Sequence, residues 1–217
     1  MILGLVGSEM CIRDSVWAAR ISYVGESGWE IYFNNNKDDG LALYDSLLEV
    51  GVVPVGIETY ANSRRLEKSF RLQGADLETE YTAIEAAIQR PLVKEADFHG
   101  KAAHLAHREE DPCAILCTMT LDDLNVSGKT RYPVGISPII DPATGEVPID
   151  SKGRRSYTTG MSYCPSLKKF VVMGYLPKEI AIQGKSLLIE YFNEDGDGLY
   201  PMTCLLYTSD AADEGWC

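Results

Sequence analysis

One short run gathers groups able to hold a small flat molecule: Tyr23-Val24-Gly25-Glu26-Ser27-Gly28-Trp29-Glu30. Its glycines read as turn residues, and the flanking runs 20–24 and 29–33 are β-rich, so the segment predicts a hairpin. Tyr23 and Glu30 then sit on opposite arms near one turn, close enough to line a shared pocket. A carboxylate offers two oxygens to paired N–H donors and would take such a ligand in a bidentate, charge-assisted contact. The same residues also fit a plain hairpin with two turn glycines and an exposed carboxylate, and spacing does not choose between the two.

Other chemistry-bearing clusters carry less. His99, His104 and His107 are close in sequence, but no Cys-x-x-Cys accompanies them and no glutamate stands between His104 and His107, so no metal site is expected. Asn193-Glu194-Asp195-Gly196-Asp197-Gly198 begins like a calcium loop, yet its twelfth position is Cys204 and no helices flank it; it predicts a hairpin turn. Arg65 and Glu67 fall on different sides of a helix and read as packing and surface partners. No Gly-x-Gly-x-x-Gly dinucleotide fingerprint occurs.

The elements that must position the first cluster follow from periodicity. Leu41, Tyr44, Leu47 and Leu48 recur at helical spacing and Gly51 closes that helix. A second helix is expected over about 59–70, and a short one over 101–108; 80–88 fits a helix or a loop equally. Beyond that, helical periodicity disappears. Runs at 114–119, 156–162, 171–176, 186–192 and 199–203 read as strands separated by Gly and Pro turns, which suggests a small antiparallel barrel or sandwich. The expected fold class is α+β: an incomplete α+β domain over 16–95, then a small antiparallel β-barrel over 96–203. The ends, 1–15 and 204–217, resemble translated sequencing-adapter read-through and are set aside. Cys113, Cys117 and Cys164 remain between them. Cys113 and Cys117 lie about 13 Å apart if on one strand, beyond disulfide reach, so free thiols are expected.

Composition excludes some partners. The chain has 217 residues, with 20 Lys plus Arg against 32 Asp plus Glu, a formal net charge of −12. Duplex binding needs a basic face that displaces counterions, and an anionic bilayer attracts the same feature; neither nucleic acid nor membrane is expected. No apolar run approaches the roughly 18 residues of a spanning helix.

The run 23–30, followed by Asn62-Ser63-Arg64-Arg65-Leu66-Glu67-Lys68-Ser69-Phe70-Arg71 and Gly74-Ala75-Asp76, resembles the aminomethyltransferase (glycine-cleavage T-protein) family. Downstream, Asp97-Phe98-His99-Gly100-Lys101, Pro165-Ser166-Leu167-Lys168-Lys169 and Met173-Gly174-Tyr175-Leu176-Pro177 are similar to the family's C-terminal barrel, so the resemblance spans 16–203 in order. Glu67-Lys68 after Arg65-Leu66 looks more like the folate-binding C-terminal half of dimethylglycine and sarcosine dehydrogenases. The resemblance implies that Tyr23 and Glu30 bind tetrahydrofolate, with Ile31 and Tyr32 lining the same pocket. Glu30 would accept hydrogen bonds from the pterin's amino and ring N–H groups. Ala61 stands where the T-protein has a ligand-binding arginine, so no such contact is expected there.

The family's catalytic aspartate falls upstream of the Tyr23 motif, outside this sequence, and FAD would belong to a further upstream domain in the dehydrogenase branch. The implied function is the tetrahydrofolate-binding part of a one-carbon-transfer enzyme that captures the unit released by oxidative demethylation of dimethylglycine or sarcosine. The alternatives are a free-standing glycine-cleavage aminomethyltransferase and a non-catalytic regulatory module of the same fold. The implied partners are folate, a methylated glycine or aminomethyl donor, and an N-terminal half of the same enzyme. The implied location is the cytoplasm of a bacterium or the mitochondrial matrix of a eukaryote.

Overall fold

The computed structural model describes residues 16–33, 37–89, 92–121, 136–193 and 196–205. Strand β1 (Trp17–Ala19) pairs antiparallel with β2 (Glu30–Tyr32), in the register Trp17↔Tyr32, Ala18↔Ile31 and Ala19↔Glu30. The second arm falls within the run expected for it, but the first lies N-terminal to the expected 20–24. The physical cause is tertiary. The Tyr23 hydroxyl donates to the Arg71 carbonyl at 2.9 Å and its ring packs on Phe70, which draws this segment out of the ladder despite its alternating pattern.

Helix α1 (Lys37–Glu49) ends as its glycine predicts. Gly51 takes φ +88°, its N–H reaches the Leu48 carbonyl at 2.9 Å, and the Val52 N–H reaches Leu47 at 3.0 Å, a Schellman stop. The expected helix over 59–70 is instead a π-turn (Thr59–Arg64) followed by one α turn, α2 (Arg65–Glu67). It stops at Ser69, whose φ of +55° lets the Phe70 N–H bond back to the Arg65 carbonyl at 2.9 Å. Residues 80–88 form turns. Thr82 and Glu85 exchange side-chain-to-backbone bonds there, Thr82 N–H to Glu85 Oε2 at 2.9 Å and Glu85 N–H to Thr82 Oγ1 at 3.2 Å, the reciprocal pattern of a capping box. Helix α3 (Lys101–Glu109) follows. Among the described residues no helix is long and apolar enough to cross a membrane.

Strands β3 (Ala114–Leu121), β4 (Ile139–Ile140), β5 (Thr158–Cys164), β6 (Lys169–Pro177), β7 (Ser186–Asn193) and β8 (Gly196–Cys204) form one antiparallel sheet, ordered β4-β7-β8-β3-β6-β5. Its outer strands curl together. Pro138 bridges Tyr157, the Ile139 N–H donates to Ser156 O at 3.2 Å and the Thr158 N–H to Ser137 O at 2.9 Å. Closure of this kind removes free strand edges, and the result is the expected small antiparallel barrel. The calcium-loop-like run joins β7 to β8, with Asn193 paired to Gly196 and Tyr191 to Gly198, and its residues 194–195 lie outside the described residues. Strand β8 continues through Cys204, the first residue of the segment set aside at the C-terminal end.

Successive strand residues point to opposite faces, and β3 and β6 bury both. Cys117, Met119 and Leu121 of β3 join Phe170, Val172 and Leu176 of β6 inside the barrel, with Ile139, Leu187 and Ile189. Ala114, Leu116, Val171, Met173 and Tyr175 face the other way and pack on Leu66 and Ala86. Each such large side chain contributes about 1.5–3 kcal/mol on burial. The outer face of the barrel is therefore the floor on which the 59–88 region rests.

Candidate functional site

The hairpin residues are placed unequally. Glu30 and Tyr32 share one face of β2, and the Tyr32 hydroxyl donates to Glu30 Oε2. This bond raises the Tyr32 hydroxyl above its ordinary value of 10, because losing the proton would set an oxyanion beside the carboxylate. Trp17, opposite Tyr32 across the two-stranded ladder, tilts its ring against Tyr32 at a centroid separation of 4.7 Å. Ile31, between them in sequence, occupies the opposite face of the strand.

Tyr23 is not on the ladder. It is half-buried in the bend that precedes Gly25, with its ring stacked on Phe70 at 6.1 Å and tilted against Tyr60 at 5.7 Å. Burial is the main reason its hydroxyl is held above the usual tyrosine range, with Arg65 opposing and Asp76 and Tyr60 adding to it. Tyr60 acts electrostatically on Tyr32 as well. The π-turn thus brings a third tyrosine to the two named from the sequence. Periodicity gave no sign of Tyr60, since a helix over 59–70 sets it among small and polar neighbours on an unmarked face.

The bend itself lies on α2. Gly25 has φ +71°, and a Cβ there would run into the Lys68 side chain, so both conformation and space require glycine. Glu26 pairs with Arg64, which also bonds Glu67 Oε2 at 2.8 Å and Ser166 Oγ at 2.9 Å. Glu67 accepts in turn from the Ser166 N–H at 2.9 Å. These contacts tie the bend after Tyr23 to the β5–β6 turn of the barrel. Glu67 is a partner of that surface network, as its position implied.

Arg65 is different. Read from the sequence as a packing partner, it is 1% exposed and its Nη1 meets Asp76 Oδ2 at 2.6 Å. Its Nε donates to the Ala61 carbonyl at 2.5 Å and Nη1 also donates to the Phe70 carbonyl at 2.9 Å. Asp76, fully buried, accepts further from the Leu72 N–H at 2.8 Å and from Thr159 on β5, while its carbonyl accepts from the Tyr175 hydroxyl at 2.7 Å. A charge pair taken out of water holds only when its remaining donors and acceptors are met, as here. The pair anchors Phe70, against which Tyr23 stacks.

Residues 8–95 match the family model of the GCVT N-terminal domain. The mitochondrial dimethylglycine dehydrogenase of Rattus norvegicus is 31% identical over 199 residues, covering 88% of this chain and 20% of the enzyme. The aminomethyltransferase of Thermosynechococcus vestitus is 30% identical over 180 residues, covering 82% of this chain and 44% of that protein. The crystal structure of glycine cleavage system aminomethyltransferase T from Bartonella henselae superposes with a TM-score of 0.68 at 24% identity, over 90% of this chain and 50% of that one, which shows a shared fold. The chain thus spans between a fifth and a half of the length of these relatives. Over most of its length the chain is similar to the aminomethyltransferases and dimethylglycine dehydrogenases, and its segment 8–95, which holds the hairpin site, matches the GCVT N-terminal domain.

Proposed function

We propose that the chain is the tetrahydrofolate-binding part of a one-carbon-transfer enzyme, receiving the unit released when dimethylglycine or sarcosine is oxidatively demethylated. The observation that supports it best is the Glu30 carboxylate, oriented by the Tyr32 hydroxyl within the GCVT-matching segment. One carboxylate oxygen accepts the tyrosine's hydrogen bond, and the remaining lone pairs suit the adjacent amino and ring N–H donors of a pterin. Folate supplies the nucleophilic nitrogen that accepts the one-carbon unit. The protein's work is to bind the ring, fix its orientation and limit water around it. Tyr23 and Phe70 supply apolar ring surface, and the Tyr23 hydroxyl's bond to the Arg71 carbonyl fixes that ring in place. Ile31 lies on the other face of β2 from Glu30 and Tyr32.

Apolar side chains stand exposed across 16–57, among them Trp17 at 53%, Trp29 at 55%, Leu41 at 52% and Val53 at 77%. Surface of this kind marks an interface. Since the chain covers 44% of the cyanobacterial aminomethyltransferase, the occupant assigned to it is the complementary N-terminal half of the family fold.

The binding test is titration of the full-length protein with tetrahydrofolate. Glu30→Gln keeps the size but loses the charge and sets an NH₂ where an acceptor is needed, leaving ligand donors unpaired at a cost of about 2–3 kcal/mol. At about 1.4 kcal/mol per decade, binding should weaken roughly 30- to 150-fold. Glu26→Gln, which removes only an exposed ion pair with Arg64, should bind as the parent does. Unchanged affinity in Glu30→Gln, or loss in Glu26→Gln, would show that Glu30 is not the anchor.

A further inference from the structure

The π-turn raises a question that the hairpin does not answer. A π-helical segment is uncommon and occurs often at functional sites. Within this one, Thr59-Tyr60-Ala61-Asn62-Ser63-Arg64, Tyr60 is the only ring. It is 39% exposed, and among the described residues its hydroxyl makes no hydrogen bond, so neither core packing nor a polar anchor accounts for its position. Its ring instead stands 5.7 Å from that of Tyr23 at an interplanar angle of 47°. Two rings so tilted and still partly open to solvent form one side of a slot.

Tyr23 is fixed from behind by Phe70 and by its bond to the Arg71 carbonyl, so it cannot turn to fill that slot itself. Tyr60 has no such restraint. Its side chain is free to lie flat on a planar ligand, and its neighbours Ala61 and Asn62 are too short to compete for the same surface. The electrostatic influence of Tyr60 on both Tyr23 and Tyr32 agrees with a position between the bend and strand β2.

We infer that Tyr60 is a ligand-contacting wall of the hairpin site, stacking on the flat heteroaromatic ring whose N–H donors Glu30 receives. This rests on the folate reading above and adds to it a residue from a separate element. The ring, rather than the hydroxyl, carries the contact, and it acts on the bicyclic head of the ligand and not on its tail.

The experiment is calorimetric titration of the full-length parent, Tyr60→Ala, Tyr60→Phe and Glu30→Gln with tetrahydrofolate and with a tetrahydropterin that lacks the aminobenzoyl-glutamate tail. Removing one stacking ring should weaken both ligands by the same factor, roughly 10- to 100-fold. Tyr60→Phe should stay within about threefold of the parent, and unfolding midpoints of the ligand-free variants should agree, since Tyr60 is not buried. If the parent and Glu30→Gln differ as expected but Tyr60→Ala binds like the parent, the wall is wrong and the folate reading stands. If Tyr60→Ala weakens only the ligand with the tail, Tyr60 touches the tail and the assignment to the ring falls. If the parent binds neither ligand, the folate reading itself is wrong, and the wall with it.

Discussion

Glu85 shows how a buried charge is held here. Its side chain is 2% exposed, and that of its partner Arg154 10%. Arg154 also bonds Asp150 Oδ2 at 2.7 Å and lies 4.3 Å over the Tyr81 ring, which stacks on Tyr175 at 3.5 Å. Burial works against the charge on Glu85, but the Arg154 hydrogen bond and the Thr82 N–H outweigh it and hold the carboxyl below its usual 4.5. A carboxyl whose folded value is depressed contributes stability that is complete above the unfolded value and drains away as pH falls through the folded one. Glu85→Gln should therefore lose about 1–3 kcal/mol in urea unfolding at pH 7. The gap to the parent should narrow as the pH drops below 4.5. A gap of equal size at pH 7 and pH 3 would mean that packing, and not charge, accounts for the loss.

At the scale of elements, the decisive contact is between the π-turn with α2 and strand β5. Gly160 lets the β5 backbone approach the Arg65 guanidinium so closely that a Cβ would lie 2.7 Å from Nη2. The end of an arginine usually gives way, but this one is bonded to Ala61, Phe70 and Asp76 at once. Gly160→Ala should consequently displace α2 or strain it and lower stability by about 1–3 kcal/mol. Gly56→Ala, with nothing within 4 Å of the added carbon, should change stability by less than about 0.5 kcal/mol. Urea midpoints of the two variants give the comparison, and equal midpoints would show that Arg65 is freer than its bonds imply.

For the whole molecule, burial is lopsided. The barrel strands β3 and β6 are covered on both faces, whereas the hairpin and α1 expose Trp17, Leu41, Tyr44 and Phe33 at 46–53%. If that face awaits the complementary half of the fold, the 217-residue chain alone should bind a hydrophobic dye and self-associate. Leu41→Lys with Val53→Lys should reduce both effects and shift the unfolding free energy by less than about 0.5 kcal/mol. A fall of the size seen for core residues would place these side chains in the chain's own packing and remove the docking surface.

Strands β3 and β6 of the barrel were legible in the sequence because both faces are buried, so 114–119 and 171–176 read as near-continuous apolar runs bounded by turns. Glu30 and Tyr23 stood out because glycines and aromatic residues surround them, and the stop of α1 at Gly51 was local chemistry. What periodicity could not supply was anything set by residues distant in the chain. Strand β1 lies at Trp17–Ala19 because the Arg71 carbonyl and the Phe70 ring claim Tyr23, some 48 residues away. The helix over 59–70 is a π-turn followed by a single α turn, and the partners that bury Arg65, Asp76 and the β5 backbone, come from distant segments. Tyr60 meets Tyr23 for the same reason. Local sequence sets which backbone states are cheap. Which of them is occupied here was decided by long-range hydrogen bonds and ring contacts, each comparable in size to the local preference it overrides.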